Sequence, residues 1–75
     1  MKNEVVVYGK PNCPFCDKAK KILDSKGVSY TYVDVSLDID AKQFLVNNGH
    51  KTVPQIYVNG IYHGESESAK SIEVA

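Results

Sequence analysis

A short apolar run, Val5-Val6-Val7-Tyr8, is followed within a few residues by Cys13-Pro14-Phe15-Cys16. That order constrains the fold more than any other feature of the chain. A buried strand must pass quickly into a helix that starts at Pro14, where the missing proline N–H costs nothing. Phe15, Cys16, Ala19, Ile22 and Leu23 then recur at helical spacing as far as about Lys26. Asp17, Lys18, Lys20, Lys21 and Asp24 take the opposite face, and Gly27 is suited to stop the helix. Residues 28–35 alternate and are rich in β-branched and aromatic side chains, which predicts a second strand. A strand–helix–strand start implies a right-handed crossover and a parallel pair.

A second helix is expected from about Asp38 to Asn48, capped by Asp38 or Ser36, with Ala41, Phe44 and Leu45 facing inward and Asn48-Gly49 ending it. Gln55 to Val58 and Ile61 to His63 flank Asn59-Gly60, the strongest short-range hairpin signal. The tail from Glu65 to Ala75 reads as weakly helical, with Ala69, Ile72 and Val74 to bury. The fold class expected is α/β, a four-stranded mixed sheet in the order β-α-β-α-β-β-α with helices on both faces. No repeat or linker interrupts the chain, so residues 1–75 are expected to form one domain.

Nine acidic and nine basic residues balance, which argues against nucleic acid or an anionic membrane as partner. The apolar runs fall far short of the roughly 20 residues that span a bilayer. Met1-Lys2-Asn3-Glu4 leads into too few apolar residues for a secretory signal, so a cytoplasmic location and a monomer are expected.

Cys13 and Cys16 are the only cysteines. In a reducing cytosol a close pair points to catalysis or metal binding, and a structural bridge would close only a very small loop. A zinc site would need His50 and His63 as further ligands, and their spacing does not match a zinc finger, so no metal is expected. At a helix N-terminus, backbone N–H groups and the dipole favour a thiolate, the form that attacks disulfides. Cys13, at the mouth of the helix, is the expected exposed nucleophile, and Cys16, one turn inside, the resolving thiol. Lys10 can bring an ammonium near that thiolate, although its position fits a solvated lysine equally well. A cis bond within Thr52-Val53-Pro54 would leave the Val53 backbone free to pair with an extended peptide. A trans proline at a strand edge is the commoner arrangement, since only about 5–6% of such bonds are cis.

These motifs together resemble the glutaredoxins. Cys13-Pro14-Phe15-Cys16 is close to the family's Cys-Pro-Tyr-Cys, and Lys10 stands at its usual lysine position. Thr52-Val53-Pro54-Gln55-Ile56-Tyr57-Val58 is similar to its Thr-Val-Pro-Gln-Ile-Phe-Ile stretch, in which the proline is cis. Asn59-Gly60 and Gly64 match its hairpin and following turn. The resemblance implies a thioredoxin-like fold and a thiol–disulfide oxidoreductase acting on protein disulfides and glutathione mixed disulfides, with glutathione as reductant. It implies that Cys13 and Cys16 are catalytic and that Lys10, Phe15, Thr52, Val53, Pro54, Gly64 and Glu67 hold glutathione. Disulfide-containing proteins are the implied partners, ribonucleotide reductase among them.

The stretch Gly64-Glu65-Ser66-Glu67-Ser68 departs from the family's Gly-Gly-x-Asp-Asp or Gly-Gly-x-Ser-Asp. Glu65 replaces a glycine that takes positive φ easily, and Ser68 replaces an acid. Either Glu67 substitutes for that acid or glutathione binds more weakly. That departure motivates one alternative, a redoxin re-reduced by thioredoxin reductase that serves ribonucleotide reductase; an iron–sulfur cluster carrier, as some relatives of the glutaredoxins are, is another. Pro14 and Cys16 both differ from the pattern of the cluster-carrying relatives.

Overall fold

The computed structural model describes residues 4–72. Strand β1 (Val5–Gly9) is followed by helix α1 (Pro14–Ser25), β2 (Thr31–Asp34), α2 (Ile39–Asn47), β3 (Gln55–Val58), β4 (Ile61–Gly64) and a 3₁₀ helix at Ser66–Ser71. The four strands form one mixed sheet in the order β2-β1-β3-β4. β1 pairs with β2 in parallel, Val7 opposite Tyr32, and with β3 antiparallel, Val7 opposite Ile56. β3 and β4 form the expected hairpin around Asn59 and Gly60, whose φ values of 54° and 81° suit a type I′ turn. This is the thioredoxin-like architecture expected from the sequence.

Alternation along β1 sorts its side chains onto two faces. Val5 and Val7 join Ile56 beneath α1, where Ala19, Leu23, Val28, Ala69 and Ile72 complete the buried core. The 3₁₀ helix therefore covers the same face as α1. Tyr8 and Tyr57 occupy the other face and pack their rings against Phe44 of α2, at centroid distances of 5.5 and 5.2 Å. Of the inward residues expected on α2, only Leu45 is fully buried, and Phe44 stays partly exposed at the edge of the ring cluster.

Both long helices are closed by local chemistry. Asp38 caps α2 by accepting the Ala41 N–H at 3.0 Å, which resolves the choice between Asp38 and Ser36. At the end of α1, Gly27 turns to φ +70°, Gly27 N–H reaches Asp24 O at 3.1 Å and Val28 N–H reaches Leu23 O at 3.0 Å. Gly49 and His50 repeat this Schellman pattern after α2, bonding Val46 O and Leu45 O. The cap explains a difference from the expected second strand. Val28 is buried as the apolar partner of the helix end, and pairing with β1 begins only at Thr31. The tail also differs: Ala69 and Ile72 are buried as expected, but the turn is 3₁₀, and Val74 lies outside the described residues.

Candidate active site

The site begins with a left-handed residue. Asn12 at φ +58° turns the chain out of β1, so that Cys13 takes the extended N-cap position of α1. Its Sγ accepts the Cys16 backbone N–H at 3.2 Å, as a serine oxygen does at an ordinary N-cap. That N–H and the helix dipole both favour negative charge on this sulfur. Cys13 and Cys16 are joined as a disulfide, with Cα atoms 5.2 Å apart. Cys16 is 0% exposed and Cys13 only 6%, so the expectation of an exposed outer sulfur needs correction. Cys13 is the more accessible of the pair, but the loop before β3 lies against it.

That loop contains a cis Val53–Pro54 bond. The turn brings the Val53 carbonyl oxygen to 4.0 Å from Cys13 Sγ and buries Pro54. Among the described residues, neither the N–H nor the C=O of Val53 takes a backbone hydrogen bond, as the sequence reading required of a cis bond. Gln55, 3% exposed, braces the bend by donating from Nε2 to Thr52 O at 2.8 Å.

Two cavities flank Val53, and Thr52 and Val53 line both. The first, about 300 Å³, is bordered by Lys10, Lys42, His50 and Lys51. The second, about 560 Å³, is bordered by Phe15, Pro54, Glu65 and Glu67. Lys10 is set by its backbone: Tyr32 packs over Gly9, and its hydroxyl donates to Lys10 O at 3.1 Å. Phe15 projects from the first turn of α1 and is 62% exposed at the rim. The structure thus gathers Lys10, Phe15, Thr52, Val53, Pro54 and Glu67 along the two cavities that meet at Val53, whose carbonyl oxygen lies beside the Cys13 sulfur.

Gly64 lines neither cavity. It holds φ +142°, and an added Cβ would meet Ser68 Cβ at 2.6 Å, so its part is to let the chain turn under the second cavity. Glu65 sits at φ −95°, an ordinary value for an L-residue, so replacing the second glycine introduces no backbone strain. Glu67 is not a free acid. Hydrogen bonds from Lys18 and then Lys70, with their charges, hold its carboxyl below the usual value. The Glu65 carboxylate makes a long contact with the Thr52 hydroxyl, at 3.4 Å.

His50 Nε2 lies 2.9 Å from the Tyr57 hydroxyl, and His63 Nε2 lies 3.1 Å from Ser68 O and 2.8 Å from Ser71 Oγ. Among the described residues, no three His, Cys, Asp or Glu side chains gather as a metal site. Sequence reasoning missed Tyr32, Lys42, Lys51 and Gln55, because each reaches the site only through tertiary folding.

The glutaredoxin family model matches residues 5–63. Glutaredoxin 1 of Rickettsia conorii is 35% identical over 72 residues, covering 92% of this chain and 71% of that protein. The hybrid peroxiredoxin hyPrx5 of Haemophilus influenzae is 33% identical over 89% of this chain, which spans only 28% of its length. Among solved structures, the NrdH-redoxin of Escherichia coli superposes with a TM-score of 0.86 over 96% of this chain and 97% of its own. At 15% identity, that likeness concerns the fold alone. The buckwheat glutaredoxin–glutathione complex gives a TM-score of 0.75 at 28% identity, over 88% of this chain and 64% of its own. A Cys-x-x-Cys pair at a helix N-terminus, a cis-proline loop against it and a matching family model lead to one identification: the chain belongs to the glutaredoxin family of thiol–disulfide oxidoreductases.

Proposed function

We propose that this chain reduces protein disulfides and glutathione mixed disulfides in the cytoplasm with glutathione as its electron source. The observation that carries the reading is the backbone of Val53, open for pairing beside Cys13 and between two cavities whose charged lining residues differ in sign. Glutathione has a matching polarity. Its glycine carboxylate suits the lysine-lined cavity, its γ-glutamyl ammonium suits the acidic one, and its cysteine falls between them.

In this mechanism the Cys13 thiolate attacks one sulfur of the substrate disulfide and the other leaves as a thiolate. Cys16 then attacks Cys13 Sγ, releasing the second substrate thiolate and forming the Cys13–Cys16 disulfide. A first glutathione thiolate opens that bond at Cys13 and frees Cys16. A second takes the glutathione off Cys13 as glutathione disulfide, restoring the Cys13 thiolate.

One observation favours a second reading, re-reduction by thioredoxin reductase in a redoxin that serves ribonucleotide reductase. Glu67, the substitute expected for the missing acid, is held by Lys18 and Lys70, which weakens the far end of a glutathione site. The solved NrdH-redoxin, a glutaredoxin-like protein with a thioredoxin-like activity profile, has the same fold. The two readings separate when the oxidised protein is incubated with glutathione alone and, separately, with a thioredoxin reductase system. Rapid recovery of free thiols in glutathione is the expected result; recovery only with the reductase would replace the first reading by the second.

A further inference from the structure

The charged side chains that line the two cavities beside Val53 differ in sign. Lys10, Lys42 and Lys51 border one without an acid in its lining, and Glu65 and Glu67 border the other, where Lys18 and Lys70 reach Glu67 from outside the lining. The backbone between them sets a direction. Val53 offers one N–H and one C=O, and Pro54 has no N–H to add. In an antiparallel pair one residue exchanges both bonds with the residue opposite, so the cysteine under attack is held by its own amide groups. Parallel pairing would pass those bonds to its neighbours. A peptide whose cysteine takes both bonds of Val53 therefore runs against the Thr52-to-Pro54 direction. Its residue before the cysteine falls on the Pro54 side, at the acidic cavity, and the residue after falls on the Thr52 side, at the lysines.

The acids of the second cavity are not equivalent. Lys18 and Lys70 hold the two oxygens of Glu67, whereas among the described residues Glu65 contacts no cation. Glu65 is also exposed, at the mouth of the cavity. We propose that this groove selects disulfide cysteines preceded by a cationic residue and followed by an anionic one, with Glu65 as the residue that reads the preceding position. The proposal rests on the Cys13–Val53 groove assigned above, and it does not depend on which reductant restores the thiols.

The test uses two short peptides, one containing Lys-Cys-Glu and one Glu-Cys-Lys. Each is joined through its cysteine to nitrothiobenzoate, a leaving group whose release is coloured. Attack of the Cys13 thiolate at the peptide sulfur forms the peptide–Cys13 disulfide and frees the nitrothiobenzoate thiolate. Rates for the reduced protein are divided by those for dithiothreitol, which removes intrinsic differences in reactivity. The Lys-Cys-Glu peptide is expected to react roughly two- to thirtyfold faster at low salt, the range for two solvent-exposed charge pairs. The gap should close at about 1 M salt.

Glu65→Lys is expected to reverse the preference at the preceding position, and Glu65→Gln to remove it. Lys42→Glu should weaken the preference at the following position. Equal normalised rates for the two peptides, or a preference unchanged in Glu65→Lys, would overturn the proposal. Glutathione re-reduction is followed on the same protein. Its failure beside an intact peptide preference rejects the glutathione reading alone. Its success beside equal peptide rates rejects the charge selection alone.

Discussion

At Gly64 the chain holds φ +142° while Ser68 closes in to 2.6 Å of where a Cβ would stand. Gly60, at φ +81°, has no atom within 4 Å of its own missing Cβ. Both glycines supply a backbone angle that L-residues avoid, but only one is also crowded. Gly60→Ala is expected to cost about 1 kcal/mol of stability and Gly64→Ala about 2–3 kcal/mol, read from urea unfolding of the oxidised protein. Similar losses for the two would mean that Ser68 yields without cost. The same stretch marks the limit of sequence reading at this scale. Thr52-Val53-Pro54 was recognisable because a motif names neighbours along the chain. Which of Glu65 and Glu67 keeps a free carboxylate was not, because the answer depends on Lys18, a helix residue 49 positions away from Glu67 in sequence.

Helix ends were the most legible elements. Gly27, Asp38 and Gly49 act through bonds to residues at most a turn or so away, and Pro14 through the N–H it lacks, so their roles survive whatever the rest of the chain does. The start of β2 was less legible, since Val28 is claimed by the end of α1 before it can join the sheet. On the face beneath α2, rings do much of the covering: Tyr8, Phe44, Tyr57, His50 and Tyr62 form one connected cluster. Burial first, and then neighbouring negative charge, raises the Tyr8 and Tyr62 hydroxyls above their ordinary value of 10.0, and burial alone raises Tyr57. A folded pKa above the unfolded one means that the folded state holds its proton more tightly. The stabilisation is complete below about pH 10 and is lost as pH rises through the folded value. The denaturation midpoint of the disulfide form should therefore fall as pH rises above about 10. Tyr8→Phe, which removes one ionisable group, should make that fall shallower; a midpoint that holds or rises across this range contradicts the assignment.

The sheet order β2-β1-β3-β4 turns three separate stretches into one site. With β1 and β3 adjacent, the loop leaving β1 carries Lys10 and Cys13 up to the loop entering β3, which carries Thr52, Val53 and Pro54. The 3₁₀ helix, packed on the same face as α1, then brings Glu65 and Glu67 to the other side of Val53. Redox chemistry was readable from Cys13 and Cys16 before any of this was known, because the sulfurs and the helix start lie together in sequence. The resemblance pointed to Lys10 and Glu67 as charged site residues, but Lys42 and Lys51 on one side and Glu65 on the other were not legible, since they reach the cavities only in three dimensions. The central claim is that Cys13 alone attacks and accepts glutathione while Cys16 only resolves. Its most direct measurement compares Cys13→Ser and Cys16→Ser in the reduction of a glutathione mixed disulfide, with mass spectrometry of each protein after exposure to glutathione disulfide. Cys16→Ser should retain turnover and carry a single glutathione on Cys13, while Cys13→Ser should be inactive and unmodified; equal losses in the two variants, or a glutathione on Cys16, would contradict the account.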